Sequence, residues 1–205
     1  MPQKLFYPQV DENKIIITRD MSRGLDILWQ FRNRRTEEPL YIDTEDSHHN
    51  IRGGEFAKLA LLQIFDAPSR TVLLFRVHHF NEKGLEKIQR MLRNVSITRR
   101  YDDEDFFYVN TSTGQCENFQ NFYEDTCLIP LKTSADAIGI FVDKQETMSD
   151  WTAPYLNIDQ IMYAAYDAIV LRMLPSVDKS AKKSRCPIHC WCDWYKKKYA
   201  NKETR

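Results

Sequence analysis

The segment that most constrains the fold is Asn157 to Pro175, NIDQIMYAAYDAIVLRMLP, which predicts one helix with a defined start and end. Asn157 is a favourable N-cap, and Gln160 three residues later completes a capping box. Pro175 cannot continue a helix and therefore marks its end. Apolar side chains recur at helical spacing, which predicts a buried stripe made of Ile158, Ile161, Met162, Ala165, Ile169 and Leu174.

The same helix carries a phenol and a carboxylate one turn apart. Tyr163 and Asp167 are four positions apart, so their side chains lie on one face beside the apolar stripe. An isolated pair of this kind is most often a hydrogen bond at the edge of a core. The residues around the pair decide between that structural role and a functional one.

Two signatures in this chain resemble those of the 3′–5′ exonucleases of the RNase D and Werner type. The first is the apolar strand Tyr41–Glu45, YIDTE, which ends in Asp-x-Glu. The second begins with Met148–Trp151, MSDW, and continues through Pro154 and Leu156 to Tyr163–Ala168, YAAYDA. The resemblance covers about residues 13 to 175. It implies an α/β fold with an RNase H-like mixed five-stranded sheet flanked by helices.

Periodicity and turn residues predict the remaining elements, and these are consistent with an α/β or α+β layer fold. Residues 13–19 predict a first strand, and either Asp20 or Ser22 can cap a helix that continues to about Arg32. Downstream, the sequence predicts strands Pro39–Asp43, Lys58–Phe65, Thr71–His78 and Val95–Thr98 and a helix Gly84–Asn94. The short turn DAPSR joins the second and third of these strands and predicts an antiparallel hairpin.

Asp43 and Glu45 are the first candidate metal ligands. They alternate along the predicted strand, so both side chains point to one side of the sheet near its end. The resemblance implies two Mg²⁺ or Mn²⁺ ions, which in two-metal hydrolysis lie roughly 3.5–4 Å apart. In the family pattern Asp43 bridges the ions, and Glu45 holds the ion that carries the nucleophilic water. The structural alternative is a polar strand end without a catalytic role.

The resemblance requires a third carboxylate after the fourth strand, where the sequence reads YDDEDFF. We select Asp105, since a helix that begins there would bury Phe106 and leave the carboxylate at its N-terminal end. Asp102 and Asp103 are alternative ligands at this position. Two arginines precede the acidic run, whereas the family pattern has small or apolar residues there. The structural alternative is a solvated acidic turn.

Asp167 fills the fourth carboxylate position of the resemblance and would bind the same ion as Glu45. Tyr163 would orient the attacking water through its hydroxyl group. A sister class carries a histidine five residues before the last aspartate, and Met162 occupies that position here. The chain therefore matches the tyrosine subgroup, called DEDDy.

The net charge of the chain is zero, but the charge is unevenly distributed. Lysine plus arginine equal aspartate plus glutamate at 29 each, so the total does not indicate a nucleic-acid-binding protein. Residues 178–205 carry a net charge of +6 and residues 1–177 carry −6. We expect a 3′–5′ exonuclease-like domain over residues 1–177 and a basic C-terminal extension over residues 178–205. A solvated, disordered tail is the alternative for the extension.

Several side chains outside the acidic residues are candidates for contact with nucleic acid. In the resemblance Lys144 lies near the active site, where it can contact phosphate; a plain surface lysine is the alternative. The extension interleaves aromatic rings, which can stack on bases, with basic groups, namely Trp191, Trp194, Lys196, Lys197 and Lys198. The same pattern is compatible with an amphipathic helix packed on the domain, or with a docking element for a protein partner.

The extension also contains four soft ligands within seven residues, Cys186, His189, Cys190 and Cys192. These residue types suggest a structural Zn²⁺ ion. The spacing argues against zinc, because structural sites usually take two ligands from each of two separated turns. A fragment of a larger site that is completed elsewhere is the remaining alternative.

Cysteine usage and hydropathy predict the compartment. The five cysteines are an odd number and unevenly spread, which favours a reducing intracellular setting. No apolar run approaches the roughly 18–20 residues that a membrane helix needs. The N-terminal residues MPQKLFYPQV have no signal-peptide core. We expect an intracellular protein without a membrane segment.

Three functions are compatible with the sequence. The first is a metal-dependent 3′–5′ exonuclease that acts on the 3′ end of DNA or RNA, and all five family positions can be filled here. The second is a catalytically degenerate RNase H-like module that binds RNA or a protein partner. The third is a structural interaction domain with the extension as its docking element. DNA and RNA are not distinguished, because the family's site contacts phosphates and one or two terminal bases.

Overall fold

The computed structural model describes residues 10, 12–46, 59–93, 98–101, 116–118 and 130–174. Six strands form one sheet with the spatial order β1-β4-β3-β2-β5-β6. The strands are β1 Lys14–Thr18, β2 Leu40–Asp46, β3 Leu59–Asp66, β4 Thr71–Arg76, β5 Thr98–Tyr101 and β6 Cys116–Asn118. The sheet therefore has one strand more than the predicted five, because the three-residue β6 extends its edge.

Both parallel and antiparallel pairs occur in the sheet, so the predicted mixed sheet is confirmed. β3 and β4 form the predicted antiparallel hairpin, and β2 pairs antiparallel with β3. β1 pairs parallel with β4, β5 with β2, and β6 with β5. β2 therefore lies inside the sheet, with a hydrogen-bonded neighbour on each side.

Four α-helices flank the sheet in the described part of the chain. They are α1 Met21–Arg32, α2 Glu82–Arg93, α3 Leu131–Asp136 and α4 Ile158–Met173, and a short 3₁₀ helix covers Gln145–Met148. The predicted cap of α1 is confirmed, because the Asp20 carboxylate accepts a 2.8 Å hydrogen bond from the Arg23 backbone N–H. Within the described residues, no helix combines the length and apolar character that crossing a membrane requires.

Alternation along the strands divides the hydrophobic core into two halves. On β2, Leu40 and Ile42 point towards α1 and α2, whereas Tyr41 points towards α4. On β3, Leu62 and Ile64 face α1 and α2, while Leu61 and Phe65 face α4. The same period of two decides the positions of the polar residues. Asp43 and Glu45 continue the Tyr41 series, and Gln63 lies between Leu61 and Phe65, so all three belong to the α4 face.

α4 begins as the sequence predicts. The Asn157 carboxamide accepts a 2.9 Å hydrogen bond from the Gln160 N–H, and the Gln160 side chain accepts one of 2.9 Å from the Asn157 N–H. Gln160 also donates from Nε2 to the Asp150 carbonyl at 3.2 Å. The capping box therefore fixes both the start of the helix and the turn that precedes it.

The predicted apolar stripe of α4 is wrong at one position and incomplete at others. Ile158 is 66% exposed, and Ile161 and Met162 are only partly buried. A single stripe assumes one solvent-facing side, whereas α4 is buried at every position from Tyr163 to Leu171. The sheet covers one side of the helix, and α3 and the segment around Trp151 contribute to the same core. Ile158 precedes this enclosed part.

The strand after α2 differs from its prediction. The sequence predicted Val95–Thr98, whereas β5 covers Thr98–Tyr101, and residues 94–97 lie outside the described part. Thr98 pairs with Leu40 and Tyr101 with Asp43, so pairing with β2 determines where this strand lies. The predicted C-terminal extension, residues 178–205, also lies outside the described residues.

The cap of α4 supplies a testable prediction. Asn157→Ala removes the acceptor of the Gln160 N–H and should lower the free energy of unfolding by about 1 kcal/mol. Asn157→Asp is the matched control, since it keeps an acceptor and adds a negative charge that favours a helix N-terminus. Urea denaturation compares the two variants. Equal destabilisation by both would show that the hydrogen bond contributes nothing to stability.

Candidate functional site

β2 delivers two buried carboxylates to the α4 face. Asp43 and Glu45 are each 8% exposed. An oxygen of Asp43 accepts from the Thr44 N–H at 2.9 Å, and Glu45 Oε1 accepts from Gln63 Nε2 at 3.1 Å. Gln63 is the β3 partner of Asp43 in the sheet and is fully buried. The sheet register therefore positions the amide that orients Glu45.

α4 delivers a third carboxylate and a phenol to the same place. Tyr163 is 2% exposed and Asp167 is 1% exposed. One oxygen of Asp167, Oδ1, is buried without a hydrogen-bond partner among the described residues. An unpartnered, buried carboxylate oxygen is costly, so Asp167 has the capacity to bind a further cation or donor.

A lysine side chain enters this cluster from the loop before the 3₁₀ helix. Lys144 Nζ donates to Asp167 Oδ2 at 2.9 Å and to the Tyr163 hydroxyl oxygen at 3.0 Å. The Lys144 side chain is 31% exposed, so it lies at the mouth of the site. The family resemblance implies that Lys144 lies near the active site, and the structure places its ammonium against two of the predicted site residues.

Burial raises the pKa of every acid in the cluster, and repulsion between the acids adds to the shift for Asp43 and Glu45. Burial raises the pKa of Asp43 well above its usual range, and the charges of Asp167 and Glu45 raise it further. Burial, with the charge of Asp167, raises the pKa of Glu45 from 4.5 to about 8. Burial also raises the pKa of Asp167, although Lys144 opposes that shift. Asp43 and Glu45 from β2 therefore lie within electrostatic reach of Asp167 from α4.

The countercharge in the cluster is Lys144. Burial alone would lower the pKa of its ammonium, but Asp167, Asp43 and Glu45 more than offset that effect and raise the pKa. Burial and the charges of Asp167 and Glu45 raise the pKa of Tyr163, so its phenol is neutral at ordinary pH.

The donor chemistry of the cluster suits a hard divalent cation. Carboxylate oxygens are the ligands that Mg²⁺ and Mn²⁺ prefer, and Asp167 Oδ1 is available. Asp43, Glu45 and Asp167 are the described residues that would hold such an ion. As they stand, no three acidic, histidine or cysteine side chains in the described part converge closely enough to hold a metal. The ammonium of Lys144 lies beside Asp167 and Tyr163, where a bound cation would contact Asp167.

The turn before α4 packs against the Tyr163 ring of the candidate site. Trp151 is fully buried, and its ring lies 5.8 Å from that of Tyr163, so it packs this loop against the core. An Asp150 oxygen accepts from the N–H and the hydroxyl of Thr152 at 2.9 Å and 2.6 Å. The Ser-Asp-Trp segment thus holds the Tyr163 ring in place through packing and a tight turn.

Several predicted site residues lie outside the described residues. These are Asp105 with its alternatives Asp102 and Asp103, the cluster Cys186, His189, Cys190 and Cys192, and the side chains Trp191, Trp194, Lys196, Lys197 and Lys198. Of the predicted catalytic residues, the structure brings together Asp43, Glu45, Tyr163 and Asp167.

Sequence reasoning missed two side chains of the cluster. Gln63 binds Glu45, and the hydroxyl of Thr147 lies 3.1 Å from that of Tyr163. Gln63 carries a detectable signal, because it is the one amide inside the otherwise apolar run LALLQIF. Thr147 carries no signal of this kind, since threonine is unremarkable in a polar loop.

Comparison with known proteins gives matches at the level of three-dimensional structure. No protein-family profile matches the chain, and no curated protein matches it. The EXO domain of Nibbler from Aedes aegypti superposes with a TM-score of 0.58 and 15% sequence identity, over 77% of this chain and 84% of that one. RNase D from Trypanosoma brucei in complex with RNA U12 superposes with a TM-score of 0.60 and 14% identity, over 83% of this chain and 65% of that one.

RNase D from Escherichia coli, an exoribonuclease involved in structured RNA processing, is a third match. Its TM-score is 0.53 at 20% identity, and the similarity covers 78% of this chain and 42% of that one. The chain thus spans less than half of the Escherichia coli protein. At sequence identities of 12–20%, the similarity shows that the folds are alike.

The raised pKa of Glu45 predicts a pH-dependent stability. The folded state holds the Glu45 proton up to about pH 8, whereas the unfolded state loses it near 4.5. The free energy of unfolding of the metal-free protein should therefore fall as pH rises through that window. One group contributes at most about 1.4 kcal/mol per pH unit. Urea denaturation in the presence of a chelator at several pH values measures the slope.

Glu45→Gln is the variant that isolates this contribution. It keeps an acceptor for Gln63 and cannot ionise, so the slope should become shallower. Glu86→Gln, an exposed carboxylate on α2, is the matched control and should leave the slope unchanged. A slope that is equally steep in Glu45→Gln would show that this carboxylate is not the source.

Lys144 supplies a second electrostatic prediction. Lys144→Met removes the countercharge of the cluster and should destabilise the metal-free protein by about 1–3 kcal/mol near neutral pH. Adding Mg²⁺ or Mn²⁺ should stabilise the variant more than the wild type, because the ammonium no longer competes for Asp167. Thermal unfolding with and without the ion measures both effects.

Lys132→Met is the control for Lys144→Met. Lys132 is a lysine of similar type that pairs with Asp136 at 3.4 Å on the surface. Its replacement should cost less than about 1 kcal/mol, as is typical of exposed ion pairs. If both variants respond to the ion equally, Lys144 does not occupy the cation position.

Proposed function

We propose that this chain, which has the fold of the RNase D-type 3′–5′ exonuclease domains, hydrolyses phosphodiester bonds at the 3′ end of nucleic acid. The observation that carries the proposal is that Asp43 and Glu45 on β2 lie on the buried face that α4 covers with Tyr163 and Asp167. Two distant segments supply these residues, and both carry the signatures noted in the sequence. Three acids crowded in a buried cleft are costly for the fold, which favours a functional role.

We infer that Asp43, Glu45 and Asp167 bind divalent cations, Mg²⁺ or Mn²⁺, with Asp105 as the proposed fourth carboxylate. When bound, such ions supply an activated water and stabilise the leaving oxygen. The unpartnered oxygen of Asp167 and the raised pKa values of Asp43 and Glu45 support this role, since a divalent cation would relieve both.

The chain's own side chains have separate tasks in this proposal. Gln63 holds Glu45 Oε1 by its 3.1 Å hydrogen bond and so fixes the orientation of the carboxylate. The neutral hydroxyl of Tyr163 can donate a hydrogen bond to the attacking water and orient it. Lys144, at the mouth of the site, can leave Asp167 and bind the phosphate of the terminal nucleotide. Trp151 fixes the Tyr163 ring and contacts no substrate.

We propose single-stranded RNA with a free 3′-hydroxyl as the first substrate to test, with single-stranded DNA as the second. The Trypanosoma brucei structure contains RNA, and the Escherichia coli protein is an exoribonuclease, which support this choice. The basic residues 178–205 are proposed to add affinity through phosphate contacts, through Trp191 and Trp194 stacking on bases, or to bind a protein partner.

One observation favours a second candidate, a non-catalytic RNase H-like module that binds RNA. Lys144 already neutralises Asp167 with a 2.9 Å ion pair, so the cluster has an internal countercharge without any metal. A module of this type would bind at most one divalent ion, whereas the exonuclease should bind two. Isothermal titration with Mn²⁺ distinguishes the two candidates.

Digestion of end-labelled RNA and DNA tests the proposed activity. With Mg²⁺ or Mn²⁺, single-stranded RNA should shorten from its 3′ end with release of nucleoside monophosphates, and a chelator should stop the reaction. A 3′-phosphate should block it, because the proposed site requires a free 3′-hydroxyl. Cleavage of a circular substrate, or equal digestion of blocked and free ends, would contradict an exonuclease that acts from the 3′ end.

Two substitutions on α4 test the assignment of residues. Asp167→Asn keeps the shape and removes one metal ligand, so hydrolysis should fall below detection. Tyr163→Phe should lower the rate about ten- to thousand-fold, the scale of one positioned catalytic group. Asp159→Asn, in the exposed first turn of the same helix, is the control and should retain full activity. Full activity in Asp167→Asn would remove α4 from the active site.

A further inference from the structure

The hydroxyl of Tyr163 has two polar neighbours from one short turn. Lys144 Nζ lies 3.0 Å from the phenol oxygen and Thr147 Oγ1 lies 3.1 Å from it. The backbone joins these neighbours, since the Thr147 N–H donates to the Lys144 carbonyl at 3.4 Å. Thr147 belongs to the 3₁₀ helix Gln145–Met148, which contacts α4.

We infer that Thr147 is a positioning residue for Tyr163, and that its hydroxyl directs the phenol proton into the carboxylate cluster. The inference rests on the proposed function, in which Tyr163 orients the attacking water. It adds a residue for which the sequence carried no signal.

The direction of the hydrogen bonds follows from the chemistry of the donors. An ammonium has no acceptor, so the Tyr163 oxygen must accept from Lys144. A threonine hydroxyl can either donate or accept. If Thr147 also donates, the phenol oxygen accepts from both neighbours in the turn, and the Tyr163 proton points into the cluster, where the Asp167 carboxylate can accept it. If Thr147 accepts instead, the phenol proton is engaged in the turn and unavailable to a water.

The surroundings favour donation by Thr147. Lys144 Nζ bonds both to the Tyr163 oxygen, at 3.0 Å, and to Asp167 Oδ2, at 2.9 Å, so the Asp167 carboxylate lies near the phenol. A hydroxyl proton is attracted towards such charge, and this attraction points the Tyr163 proton away from the turn. Packing of Tyr163 against Trp151 fixes the ring, so the rotation of the hydroxyl is the remaining freedom. Thr147 restricts that freedom.

Two substitutions separate the hydroxyl from the shape of the side chain. Thr147→Val keeps the branched shape and removes the hydroxyl, whereas Thr147→Ser keeps the hydroxyl. With single-stranded RNA, Thr147→Val should lower kcat about five- to fifty-fold with KM unchanged within about twofold, as expected for a group acting through a catalytic residue. Thr147→Ser should restore most of the rate. Thr133→Val, on α3, is the control and should behave as wild type.

The Tyr163→Phe background supplies the decisive comparison. If Thr147 acts through the phenol, Thr147→Val should cause no further loss of kcat in Tyr163→Phe. An additive loss, or a rise in kcat for Thr147→Val alone, would overturn the inference. The rise would mean that Thr147 accepts the phenol proton and withholds it from the water.

A stability measurement keeps this inference distinct from the proposed function. A double-mutant cycle on thermal unfolding midpoints needs no enzymatic activity. It compares the wild type with Thr147→Val, Tyr163→Phe and the double variant. Non-additive shifts would support a Thr147–Tyr163 hydrogen bond even if the wild-type protein hydrolysed nothing, a result that contradicts only the proposed function. Additive shifts in the midpoints would overturn the inference in either case.

Discussion

The burial of like charges under α4 is the constraint on which the rest of this structure depends. The alternation of β2 places Asp43 and Glu45 on the same face as Tyr41, and α4 covers that face with Asp167. Three carboxylates in a poorly hydrated cleft repel one another, and burial adds a desolvation cost. The cluster can persist because the sheet and the buried helix over-determine the positions of its members, and because Lys144 supplies a countercharge.

α4 serves the core and the site with the same residues. Ala164, Ala165 and Ala168 are fully buried beside Tyr163 and Asp167, so the helix approaches the sheet closely where the acids lie. Small side chains at these positions allow the close approach, and larger ones would lift the helix and separate Asp167 from the β2 acids. The packing of α4 and the geometry of the candidate site are therefore coupled.

Local patterns were sufficient to predict most of the elements, and the family resemblance pointed to the acidic pair of β2. The capping box at Asn157 and the period-two strand around Asp43 depend on adjacent residues, which is why they could be predicted. The exposed Ile158 and the start of β5 at Thr98 could not, because burial of α4 on several sides and pairing with β2 determine them. Thr147 was missed for the same reason, since its role exists only after the 3₁₀ helix and α4 have packed.

In the candidate site, the ammonium of Lys144 offsets the negative charge of the buried carboxylates. Lys144 binds Asp167 and the Tyr163 hydroxyl, and its stem reaches the mouth of the cleft. A lysine in this position can stabilise the metal-free fold and then move to an incoming phosphate when a stronger cation takes the acids. If the lysine never leaves, the same geometry makes an inert module with a stable, neutralised cluster. The strength of this one ion pair is therefore a point at which the two candidate functions diverge.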